Sequence, residues 1–104
     1  MSTKKKSPTM KYLEQLAGRS LTLGGLLESL RLAEEKSLTT FAKTLHISPS
    51  HLCDIEKGRK SVSPARAADF ATILGKSKSQ FIRLALQDEL TRSGLKFKVH
   101  VEVA

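Results

Sequence analysis

Cysteine and aromatic residues are nearly missing from this sequence, which has one cysteine (Cys53), one tyrosine, four phenylalanines and no tryptophan. A single thiol excludes an internal disulfide framework and suits a reducing compartment. With so few rings, the core must be built mainly from Leu, Ile, Val and Ala. No apolar run approaches the roughly 20 residues that a membrane-crossing helix needs. The basic stretch Lys4-Lys5-Lys6 leads into Ser7 and Pro8 rather than an apolar segment, so it does not read as a signal peptide. Acid is scarce as well: 10 Asp and Glu stand against 18 Lys and Arg, a formal charge of +8. Lys4, Lys5, Lys6 and Lys11 fall in an acid-free opening, and the rest of the chain is basic without them. Such a balance attracts polyanions, of which phosphate backbones are the commonest. The expected setting is the cytoplasm, at the nucleoid, with no membrane partner.

Catalytic and metal-binding patterns are missing too. His46, His51, His100 and Cys53 have no pairing at metal-ligand spacing. His51 and Cys53 are two apart on one helix and face different directions, which rules out a nucleophilic pair. Gly24-Gly25 lies inside a leucine-rich helix and lacks the Lys-Ser/Thr of a phosphate loop. The chain therefore reads as a binding protein and not an enzyme, with no metal and no cofactor.

What is present is a series of short, well-punctuated helices. The 104 residues suffice for one domain. All three prolines follow a serine, at Ser7-Pro8, Ser48-Pro49 and Ser63-Pro64. Each pair supplies an N-cap and a first-turn proline. Residues 1–20 read as a basic arm with a short amphipathic helix closed by Gly18. Thr22 then caps a helix carrying Leu23, Leu26, Leu27, Leu30 and Leu32 to about residue 35. Ser37 caps a second helix with Phe41, Ala42 and Leu45 inward. The third runs over 49–57 with Leu52 and Ile55 inward, the fourth from Pro64 to Leu74, and the fifth from a Ser77/Gln80 capping box to about Arg92. Beyond Gly94 the period changes. Leu95, Phe97, Val99, Val101 and Val103 alternate with Lys96, Lys98, His100 and Glu102, which predicts a half-buried strand over 95–103. With no other strand in the chain, its ladder partner is expected in a twin subunit.

The second and third helices are joined by only three residues, which forces a steep crossing and exposes the N-terminal half of the third. A helix so presented fits the major groove of B-DNA. The handover asks for a residue that tolerates positive φ, and His46 stands there.

The run from Ser37 to Arg59, and above all Ser48 to Arg59 with Leu52, Ile55 and Glu56-Lys57-Gly58, resembles the helix-turn-helix of the Cro/repressor (XRE) family. The likeness extends from about Thr22 to Leu86. That family includes phage repressors, bacterial regulators and the DNA-binding antitoxins of toxin–antitoxin pairs. The resemblance implies an all-α, five-helix lambda-repressor-like domain over 21–92, followed here by a dimerisation strand over 93–104. It implies that 49–57 is the recognition helix, and that Arg31 pairs with Glu56. The chain departs from the family at three places: Leu38 where a phosphate-touching Gln is common, Pro49 where a base-reading Arg or Gln is common, and His46 in place of Gly. The first six residues are also similar to the DNA-wrapping arm of lambda-type phage repressors.

Leu52 and Ile55 facing inward puts Ser50, His51, Asp54 and Lys57 on the outer face of the third helix. Pro49, Ser50, His51 and Asp54 are the expected base contacts. Ser37, Thr39, Lys43, Lys57, Arg59 and Lys60 are the expected phosphate contacts. Phe81, Leu84 and Leu90, with Phe97, Val99 and Val101 of the strand, are expected at a dimer interface. The function expected is a dimeric, sequence-specific repressor on a palindromic operator of double-stranded DNA. The alternative is an antitoxin that also masks a toxin protein by direct binding.

Overall fold

The computed structural model describes residues 21–104; the basic arm and short helix expected within 1–20 lie outside the described residues. Five helices follow in order: α1 (Leu23–Ala33), α2 (Leu38–Thr44), α3 (Pro49–Glu56), α4 (Pro64–Leu74) and α5 (Lys78–Arg92).

Every one of these helices opens on a hydroxyl that accepts a first-turn N–H. Thr22 takes Gly25, Ser37 takes Thr40, Ser48 takes His51, Ser63 takes Arg66 and Ser77 takes Gln80, at 2.9 to 3.2 Å. In α3 and α4 a proline occupies the first turn, where no N–H is needed. Short helices are marginal alone, so these caps fix where each begins while packing supplies the stability.

The core is a single cluster, with Leu23 and Leu27 from α1, Phe41 and Leu45 from α2, Leu52 and Ile55 from α3, Phe70 from α4 and Phe81 and Leu84 from α5. Phe81 and Leu84, expected at a dimer interface, are each only 1% exposed. They belong to the chain's own core, because α4 covers the face of α5 that carries them. Leu90 stays half-buried.

The helix α1 crosses α3 at a contact only glycine permits. A Cβ on Gly24 would overlap the Ile55 carbonyl and sit 3.2 Å from the Glu56 Cα. At its far end α5 binds both neighbours: Asp88 Oδ2 accepts the Leu23 N–H at 3.1 Å, and Arg92 Nη2 donates to the Gly58 carbonyl at 2.9 Å. Burial pushes the Asp88 carboxyl above its ordinary value, opposed by the Leu23 hydrogen bond and the nearby Arg92.

The C-terminal strand does not form. Residues 95–104 carry no regular secondary structure, and no strand occurs among the described residues. The segment has no ladder partner among the described residues, and its backbone turns to a side chain instead. Gln87 Nε2 donates to the Phe97 carbonyl at 2.8 Å, and Gln87 Oε1 accepts the Val99 N–H at 3.0 Å.

Candidate nucleic-acid interface

Between α2 and α3 the chain turns on a six-to-one bond from the Ile47 N–H to the Ala42 carbonyl (3.0 Å) and a tighter one from the His46 N–H to the Lys43 carbonyl (3.1 Å). This is the Schellman closure, and it requires a left-handed residue just past the cap. His46 fills it with φ of 61°. Ile47 folds back against the core, and Ser48 at once caps α3. The turn thus fixes the crossing of the two helices by local hydrogen bonds.

The helix α3 is buried along one side through Leu52, Ile55 and Glu56 and open along the other. Pro49 and Ser50 are exposed at its start, and His51 and Asp54 are half-buried along the same side. Lys57, Arg59 and Lys60 are exposed beyond its end. The open face therefore offers hydroxyl and imidazole groups at the N-terminus and a cationic rim at the C-terminus. From α2, Thr39 and Lys43 are exposed and available. Ser37 is partly engaged: its hydroxyl accepts the Thr40 N–H and donates to Thr40 Oγ1 at 3.0 Å.

Arg31 and Glu56 meet in the expected pairing. Arg31 Nε lies 2.9 Å from Glu56 Oε2 and Nη2 3.0 Å from Oε1, while Nη1 donates to the Lys36 carbonyl at 3.2 Å. The Glu56 side chain is 2% exposed. The Arg31 guanidinium is held above its ordinary pKa, chiefly by the hydrogen bonds to Glu56, against the opposing cost of burial. The pair docks the last turn of α3 onto α1.

Asp54 and Arg59, read separately from the sequence as a base contact and a phosphate contact, are brought together. Arg59 Nε donates to Asp54 Oδ1 at 2.9 Å, and Arg59 Nη2 approaches Cys53 Sγ at 3.6 Å. The Asp54 carbonyl also accepts the N–H groups of Arg59 (2.8 Å) and Lys60 (3.2 Å). The chain folds back over the end of α3 and lays Arg59 along its outer side. The Arg59 pKa is raised, first by its bond to Asp54.

Sequence reasoning missed the two anchors from α5. Asp88 lies 65 positions from Leu23, and nothing local marks them as partners. Arg92 fixes the Gly58 carbonyl, and with it the loop that carries Arg59 and Lys60. No group of His, Cys, Asp and Glu suited to hold a metal occurs among the described residues, and none of their helices is long and apolar enough to cross a membrane.

A family model described as a helix-turn-helix domain matches residues 22–81. No curated protein and no solved structure matches the chain.

Proposed function

The chain belongs to the helix-turn-helix domain family, and on that premise we propose that it is a sequence-specific transcriptional regulator that represses from a near-palindromic operator, bound as a dimer. The observation that carries this reading is the open face of α3. Pro49 and Ser50 at its start stand clear of the core, and the helix is anchored from behind by the Arg31–Glu56 pair and set at its angle by the His46 turn.

In this reading α3 enters the major groove, with Ser50 and His51 at base edges and Pro49 packed against them. Lys57, Arg59 and Lys60 flank the groove and neutralise phosphates, with Thr39, Lys43 and the Ser37-capped start of α2 on the other strand. Asp54 holds Arg59 in place through one carboxylate oxygen, and its other oxygen is assigned here to a base edge. Two copies would present their recognition helices about one turn apart, roughly 34 Å. The protein works by occupancy in the cytoplasm, at the nucleoid, and carries no catalytic activity.

Selection of bound sites from random duplex DNA, repeated at two salt concentrations, tests the proposal. A two-fold-related consensus with a steep salt slope is the expected result. Weak binding without sequence preference would overturn it.

A further inference from the structure

The extended C-terminal segment has one edge occupied and one edge open. In extended backbone the carbonyl of one residue and the N–H two places on point to the same side. Gln87 takes this pair at Phe97 and Val99, gripping the segment as a neighbouring parallel strand would. Carried along the period of two in 95–103, the same geometry assigns the N–H and carbonyl groups of Lys96, Lys98, His100 and Glu102 to the opposite edge, and none of them is hydrogen-bonded among the described residues. Three apolar side chains of the segment are also uncovered, with Leu95 47%, Phe97 68% and Val103 89% exposed, while Val99 and Val101 are half-buried. An unpaired strand edge carrying an apolar stripe is a template for another strand.

We propose that this edge pairs antiparallel with the same segment of a second copy, about a two-fold axis at Val99. The proposal rests on the dimeric reading above and adds its interface and register. With the axis at Val99, Lys96 faces Glu102 of the second copy, twice over by symmetry. Phe97 meets Val101 and Leu95 meets Val103, so every apolar residue of the stripe finds an apolar partner. Aromatic–β-branched and opposite-charge neighbours are the favourable cross-strand pairs. Moving the axis to Phe97 or to Lys98 sets lysine against lysine. Moving it to His100 sets His100 against its own copy and Lys96 against Ala104. The open edge consists of the even-numbered residues, and in this register they face one another as the hydrogen-bonded pairs. Gln87 positions the ribbon by fixing the opposite edge to α5, which ties the spacing of the two recognition helices to the ribbon.

The test uses the full chain in analytical ultracentrifugation. Lys96→Glu and Glu102→Lys are each expected to weaken dimerisation roughly tenfold, since two attractive cross-strand pairs become two repulsive ones. The double swap is expected to restore dimerisation to near the parent value. Lys98→Glu serves as the register control, since it faces His100 here and would disrupt only the register centred on His100. In a Cys53→Ser background, Val99→Cys is expected to form a disulfide-linked dimer on oxidation, while Val101→Cys is not. A monomeric parent chain, single swaps without effect, or a double swap that fails to restore the dimer would each overturn the proposal. A monomer that captures a toxin-like protein through residues 95–103 would overturn it in favour of the antitoxin reading. The two proposals fail separately: a palindromic consensus with unaffected swaps removes the ribbon and keeps the regulator, and a charge-dependent dimer that binds DNA without preference does the reverse.

Discussion

The guanidinium of Arg31 meets the carboxylate of Glu56 side-on through two hydrogen bonds, and so holds the first helix to the last turn of the third. Both groups are withdrawn from water, with side-chain exposures of 15% and 2%. Removing one partner of such a pair strands the other, at a cost of about 3–5 kcal/mol, whereas replacing both by apolar residues can be nearly neutral. Arg31→Met is therefore expected to destabilise the domain by about 3 kcal/mol in urea denaturation. Arg31→Met with Glu56→Leu should recover most of that loss. An undiminished loss in the double variant would show that the pair does more than satisfy two buried charges.

Gly24 makes the second contact between the same two helices, one that depends on a missing atom. Alanine ordinarily favours a helix interior over glycine by up to about 1 kcal/mol. Here the added methyl would overlap the Ile55 carbonyl, which is backbone and cannot swing aside. Gly24→Ala is expected to lose about 1–3 kcal/mol of stability, the usual range for overpacking. Because the strain falls on α3, DNA affinity should fall with it. A variant more stable than the parent would show that α1 can retreat from α3 freely.

The parts of this fold that are legible in the sequence are the local ones. A serine followed by proline marks a helix start by the chemistry of two adjacent residues, and His46 marks the turn because few side chains accept its φ of 61°. What cannot be read depends on distant neighbours. α5 is apolar on more than one face, and its sequence does not say which face α4 covers, so Phe81 and Leu84 read as interface residues and lie in the core. The alternation over 95–103 gives a true period of two, but a period is not a ladder, and the described residues supply the segment with the Gln87 amide in place of a strand. The Asp54–Arg59 pair is invisible to helical spacing because Arg59 lies past the Gly58 turn, outside the helix that carries Asp54.

Base-reading and phosphate-binding side chains separate by their effect on discrimination. Ser50→Ala and His51→Ala are expected to lower the preference for the selected operator over random duplex, each by about 1–3 kcal/mol if the side chain reaches a base edge. Affinity for random DNA should barely change. Lys60→Ala and Arg59→Ala are expected to weaken all duplexes alike and to reduce the salt slope by about one for each phosphate no longer neutralised. Fluorescence anisotropy on both DNAs across a salt series measures all of these. An unchanged slope for Arg59→Ala would mean that Asp54 keeps the guanidinium from the backbone even in the complex.

Asp88 makes stability depend on pH in the direction opposite to a surface carboxylate. Its folded-state pKa is raised above the ordinary 3.8, first by burial, so the folded chain holds this proton more tightly than the unfolded chain does. The associated stability is fully present below the unfolded pKa and is lost as pH rises through the folded one. At neutral pH the ionised carboxylate still accepts the Leu23 N–H, but it does so at the expense of its own hydration. Asp88→Asn keeps an acceptor oxygen for that N–H and abolishes the titration. The variant is thus expected to gain on the parent chain as pH rises from about 3.8 toward neutrality, with the two converging at lower pH. Urea midpoints for both chains across that range measure the difference. A parent chain that instead gains on the variant as pH rises would mean that the ionised Asp88 stabilises the α1–α5 junction, and that the bond to Leu23 and the charge of Arg92 outweigh burial.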